Sequence, residues 1–299
     1  MTASQFAQSA GWPRRPQAGA SGRALALLGA LAVALGAAFV LAPGVLAASA
    51  PGGGYAGQPA LIRALHTAFT RYWSSGDRAF PPDLERLVDY WTRYHVAKAV
   101  IAALLLTVLV ILGRRLWAAL LGAARLTPGR GAVLASSLAL VAVLAVGSVM
   151  LVVANIQGAV APFASLISML PSGPHDKQLI YTLGQVKQGL AAYPGSGGRT
   201  APAPALEAMI SGFVLYHVAV VALAAVVAVT LAVMSAVSWK RRARTRSSER
   251  RTRRALAIAA VTSALLALVM IVIAAANLGN AMNPAPALLA LFNSGAAGL

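Results

Sequence analysis

The amino-acid sequence predicts an all-α integral membrane protein from three observations: five long apolar runs, arginine-rich segments between them, and a pair of runs that occurs twice. With 59% hydrophobic and only 11% charged residues over 299 positions, the chain is too charge-poor for an ordinary soluble fold. The runs Ala24–Ala47, Val96–Leu112, Ala132–Ile156, Ile210–Ser238 and Ala255–Asn277 approach or exceed the length a hydrocarbon core requires, about 20 helical residues. Inside the last four, Lys98 is the only formal charge, near enough to a helix end for its ammonium to snorkel into the headgroups.

Charge placement sets the expected orientation. Arg14, Arg15 and Arg23 precede the first run, and Arg114, Arg115, Arg125 and Arg130 separate the second from the third. Between the fourth and fifth, residues 240–254 read KRRARTRSSERRTRR, with Glu249 the only acid. These basic segments belong together on the cytoplasmic side of the plasma membrane, which leaves Pro51–Arg93, Gln157–Leu206 and the C-terminus outside. The net charge of +18 is thus a topological signal. No aromatic residue is interleaved with the basic run for base stacking, so nucleic acid is not an expected partner. The absence of cysteine excludes disulfides, a thiolate nucleophile and Cys-ligated metals.

The first run has two readings. Its basic leader and the small residues Ala48-Ser49-Ala50 resemble a secretory signal with its cleavage site, and Pro43-Gly44 is expected to break a spanning helix near that point. The competing reading is a retained fifth transmembrane helix.

The main organisational signal is internal. Tyr94-His95-Val96-Ala97 recurs as Tyr216-His217-Val218-Ala219, an offset of 122 residues. The same offset maps Leu84-Glu85 onto Leu206-Glu207, Trp117 onto Trp239, Asn155 onto Asn277, Pro162 onto Pro284 and Leu166 onto Leu288. The chain therefore divides into residues 1–50, a signal peptide or anchor; 51–172, a first repeat; and 173–299, a second. Each repeat holds two spans, so the copies face the same way, and a four-helix transmembrane bundle of two tandem, parallel helical hairpins is expected. Leu61, Leu65, Phe69 and Tyr72, then Leu179, Leu183, Val186 and Leu190, each mark one apolar face of an outer helix that seeks lipid or a partner. Helices starting near Leu84 and Leu206 should run on into the membrane, and Phe163–Leu170 and Ala287–Phe292 should form lids on the outer ends of the bundle.

A few polar positions could carry function. His95 and His217 occupy equivalent depths and could ligate haem iron or a metal if they converge, although Tyr-His pairs also suit a membrane interface. His66 and His175 are read as solvated or interfacial. Asn155 and Asn277 form a polar pair at the ends of the two outgoing spans, where an amide caps exposed carbonyls or binds a neighbouring helix. Lys240, Arg241, Arg242, Arg244, Arg246, Arg250, Arg251, Arg253 and Arg254 are the expected contacts to anionic lipid, with Ser247 and Ser248 among them resembling basophilic kinase sites.

No acidic residue lies within the last four spans, which argues against ion coupling through an embedded carboxylate. Walker A, H-E-x-x-H and G-x-S-x-G motifs are missing, and Asp77, Asp83, Glu85 and Asp89 sit among Arg78, Arg86 and Arg93 as a solvated face. The expected function is a non-enzymatic membrane scaffold or accessory subunit, without cofactor, whose outer helical segments bind another membrane or envelope protein. Two alternatives are a haem- or metal-binding redox carrier using His95 and His217, and a passive pore or small-molecule transporter at the repeat interface.

Overall fold

A computed structural model describes residues 22–122, 127–172, 176–193 and 203–294; Arg14, Arg15, Arg125 and His175 lie outside the described residues. Among the described residues there are nine helices and no strand. Five are long and apolar enough to cross a membrane: α1 (Gly22–Ala48), α3 (Pro82–Gly122), α4 (Pro128–Val160), α7 (Pro204–Arg244) and α8 (Arg250–Met282). The chain is a multi-pass membrane protein. Four short helices, α2 (Gln58–Ser75), α5 (Pro162–Ile167), α6 (Lys177–Ala191) and α9 (Pro284–Ser294), gather as a cap at one end.

Proline sets several starts, because its fixed φ and missing N–H cost nothing in a first helical turn. Pro82, Pro128, Pro162, Pro204 and Pro284 each open a helix. Both bounds of α3 and of α4 recur in α7 and α8 after 122 residues, as does the start of α5 in α9. Gly76 ends α2 in the left-handed region at φ 71°, where its N–H donates to Trp73 O.

The spanning helices pack in series. The principal contacts run from α1 to α3, α3 to α4, α4 to α7 and α7 to α8, with no comparable packing of α8 back onto α3. Burial is correspondingly low: in the most apolar stretches of α3, α4, α7 and α8, between 17% and 22% of residues are buried, and none in that of α1.

The cap is built differently. Leu61, Leu65, Phe69 and Tyr72 of α2 meet Leu84 and Leu87 of α3, Phe163 and Leu166 of α5, Leu179, Val186 and Leu190 of α6, Leu206, Met209 and Phe213 of α7, and Leu288 and Phe292 of α9 in one buried core. The lids expected after Pro162 and Pro284 are therefore present. The apolar faces of α2 and α6 are not free, however: Leu65, Phe69, Tyr72 and Val186 are all 0% exposed. They find each other through the fold, because short helices with one apolar face bury it most completely against other such faces. His66, expected to be solvated or interfacial, is buried on α2.

Two expectations for the α1 region also change. The helix runs unbroken through Pro43 to Ala48. Its last turn is held by protein: Ala47 is fully buried, and Arg93 Nε donates to Ala47 O at 3.1 Å. Lys98 lies over the Phe39 ring of α1, 4.6 Å from its centroid, and 5.2 Å from that of Tyr94. A cation beside two π faces is partly compensated where it stands, so snorkelling is not its only recourse.

Candidate functional site

The two histidines singled out by the duplication each meet an asparagine, at the level where the spans enter the cap. His95 lies on α3, one turn beyond Trp91, whose indole packs edge-on at 4.7 Å and donates from Nε1 to Ser165 Oγ at 3.0 Å. His95 Nδ1 is 3.0 Å from Asn155 Oδ1 on α4. In the second half, Phe213 takes the place of Trp91, edge-on at 4.4 Å, and His217 Nδ1 is 2.7 Å from Asn277 Oδ1 on α8.

The hydrogen-bond chemistry places one ring proton. Asn155 Nδ2 donates to Leu151 O at 2.7 Å and Asn277 Nδ2 to Ile273 O at 2.8 Å, so each amide oxygen must face the imidazole. An oxygen can only accept, so in each pair the proton of this hydrogen bond sits on Nδ1. In the first half Nε2 is buried without a hydrogen-bond partner. Gly158 closes on that ring: a Cβ built there would lie 2.7 Å from three of its atoms, so only glycine admits the contact.

The asparagines are thus interior crosslinks. Asn155 precedes the end of α4 at Val160, Asn277 precedes the end of α8 at Met282, and neither caps its helix. Nor do the histidines meet each other. Helix α4 stands between them, tied to α3 through Asn155 and to α7 through Gln157, whose Nε2 donates to Tyr216 O at 3.3 Å. Two positions apart on a helix is a rotation of about 200°, which is how one helix serves opposite neighbours. Gln157 escaped the sequence reading, although an amide just beyond an apolar span was itself a signal. Among the described residues no three His, Asp or Glu side chains come together as a metal site.

The nine basic residues of 240–254 cluster at the far end of the molecule, where α7 closes and α8 opens. Ser235 Oγ donates to Ala260 O at 2.8 Å and holds the two helices together beneath the bend. Arg242 stacks over Trp239, 5.0 Å from the ring centroid, and the other eight are exposed or half-buried.

Compared with protein family models, with curated proteins and with solved structures, the chain finds no match.

Proposed function

We propose that this protein is a non-enzymatic scaffold or accessory subunit of the plasma membrane. In this reading two like-oriented copies of a helical hairpin, α3–α4 and α7–α8, stand side by side with their basic bends in the cytoplasm, and α1 is retained as a fifth span. The observation that carries it is the cap core, to which α2, α3 and α5 of the first copy and α6, α7 and α9 of the second all contribute. A rigid head shared by both halves is what a docking platform needs, since a preformed surface loses little entropy on binding.

The partner-facing residues then differ from those the helical periodicity suggests. Leu61, Leu65 and Phe69 are core, whereas Ile180 and Tyr181 on α6 are 59% and 68% exposed. Adjacent exposed Ile and Tyr on the open face of α6 suit an interface centre. Changing both to Asp should abolish co-purification of a partner in mild detergent while leaving the cap folded; a partner retained by that variant, or none found with the native chain, overturns the reading. Orientation is tested separately. The chain has no cysteine, so Arg246→Cys and Ser74→Cys each give a unique thiol, and an impermeant reagent on intact cells should label only the second.

The redox-carrier alternative loses its motive where α4 separates the two imidazoles. A pore at the repeat interface would have to follow the α4–α7 contact, where the polar groups are few and Gln157 is already engaged.

A further inference from the structure

Positive-inside retention requires basic residues in a bend but not their convergence. In the first copy, the bend carries its charge on Arg114, Arg115, Arg125 and Arg130. In the second, four arginines and a serine surround one cleft of about 400 Å³: Arg242 from α7, Ser247 from the turn, and Arg250, Arg253 and Arg254 from one face of α8, with Ala257 at its base. Shifted back by 122 residues, the four arginines fall on Leu120, Pro128, Gly131 and Ala132, so the repeat itself does not demand them.

The cleft is electrostatically unbalanced. None of its arginines is ion-paired with a described carboxylate. Arg253 Nη1 donates only to the neutral Ser247 Oγ, at 3.3 Å, and Arg242 Nε is buried without a hydrogen-bond partner. Three of the four sit in the opening turns of α8, where the helix dipole and the free amides already favour negative charge, and Glu249 at the N-cap makes no side-chain bond to those amides. Like charges gathered at the positive end of a dipole are self-repelling until an anion enters. Planar guanidinium forks fit the oxygens of phosphate.

We propose that this cleft binds a single phosphate group, as carried by an anionic phospholipid or by inorganic phosphate. Arg242, Arg250, Arg253 and Arg254 hold the oxygens and Ser247 is within reach as a neutral donor. The site deepens the anionic-lipid reading of the whole run by separating four converging residues from five that only add to the field. It depends on the cytoplasmic placement of the bend only for where the phosphate comes from.

The test is titration of the full chain, in zwitterionic detergent, with short-chain phosphatidate. Saturable binding of one molecule per chain is expected. The double variant Arg250→Gln/Arg254→Gln should weaken it about tenfold or more, because two charge-assisted contacts are lost. Arg244→Gln/Arg246→Gln removes the same charge outside the cleft and should weaken it less than about threefold. Equal losses in the two variants, or binding that never saturates, overturn the proposal in favour of a diffuse field. Millimolar inorganic phosphate separates the sources: phosphatidate that resists it assigns the lipid, and displacement assigns the free anion. Labelling of Arg246→Cys from outside the cell would sink the proposed orientation and leave the cleft standing.

Discussion

The cap and the spans are both apolar and both helical, yet they hold together by different physics. In the cap, Phe69, Tyr72, Leu65 and Phe292 are buried almost completely, and rings pack edge-on, as where Phe163 meets Tyr72 at 5.7 Å. That is water-driven burial, about 25 cal/mol per Å² of apolar area removed from solvent. Along the spans, Val33, Val143, Val226 and Val272 are more than 60% exposed, and the buried positions mix scattered large residues such as Leu109, Leu112 and Met270 with small or polar ones such as Ala102, Ser148, Ala224, Ser235 and Ala260. Lipid is as apolar as leucine, so nothing drives those faces together except close packing and the few hydrogen bonds that cross between helices. The cap's stability is therefore spread over many side chains, and that of the spans is concentrated in a handful of contacts.

The contrast can be broken most directly at Phe69. Phe69→Ala removes a fully buried ring and should cost the cap about 3–5 kcal/mol, seen as amide exchange rising in α2 and α6 while α4 and α8 stay protected. Loss of protection throughout would mean that the two regions are one cooperative unit. Next comes alkali. Burial pushes the Tyr72 phenol up to about 12 from its ordinary 10.0. The folded cap holds the proton more tightly than the unfolded chain, so this stabilisation is complete below pH 10.0 and is lost as pH rises towards 12. The loss should be on the order of 2 kcal/mol and should disappear in Tyr72→Phe.

The spans should respond at single points. Gly158→Ala forces a methyl into the His95 ring and should cost about 1–3 kcal/mol, whereas Gly279→Ala, with open space around its Cβ, should be near neutral in denaturant titrations. Equal effects would remove the close contact as an explanation. Asn277→Ala strands the Nδ1 proton of His217 and should cost about 1 kcal/mol, with a double-mutant cycle against His217→Ala recovering most of it. Smallest of all, Arg71→Ala breaks the 2.7 Å pair with Asp83 at the cap surface, and less than about 1 kcal/mol should be lost.

Much of the architecture could be read from the residues. The spans, the lids and the starts at Pro162 and Pro284 follow from local signals, namely apolar length and proline's preference for a first turn. The site was legible by half. Matching offsets pointed to His95, His217, Asn155 and Asn277, but not to the fact that each histidine belongs to the asparagine of its own helix pair. A shared offset says that two positions are equivalent; it carries no information about which neighbour each one faces. The unbroken passage of α1 through Pro43 was hidden for a related reason. Helix-breaking rules count the lost backbone bond and omit tertiary contacts such as that of Arg93 with Ala47 O at the helix end.

By itself, the order of residues determined that this chain crosses a membrane, where its helices lie and that its arginines gather at the bends, because hydropathy, helix starts and charge runs act over a few turns of one helix. Only the tertiary structure decided that the amphipathic faces of α2 and α6 are buried in a common core, that α4 stands between the two histidines, and that four of nine bend cations turn towards one cleft. Those outcomes depend on which helix becomes the neighbour of which. That choice is a competition among many nearly equivalent apolar surfaces, settled by shape and by a few well-placed polar groups.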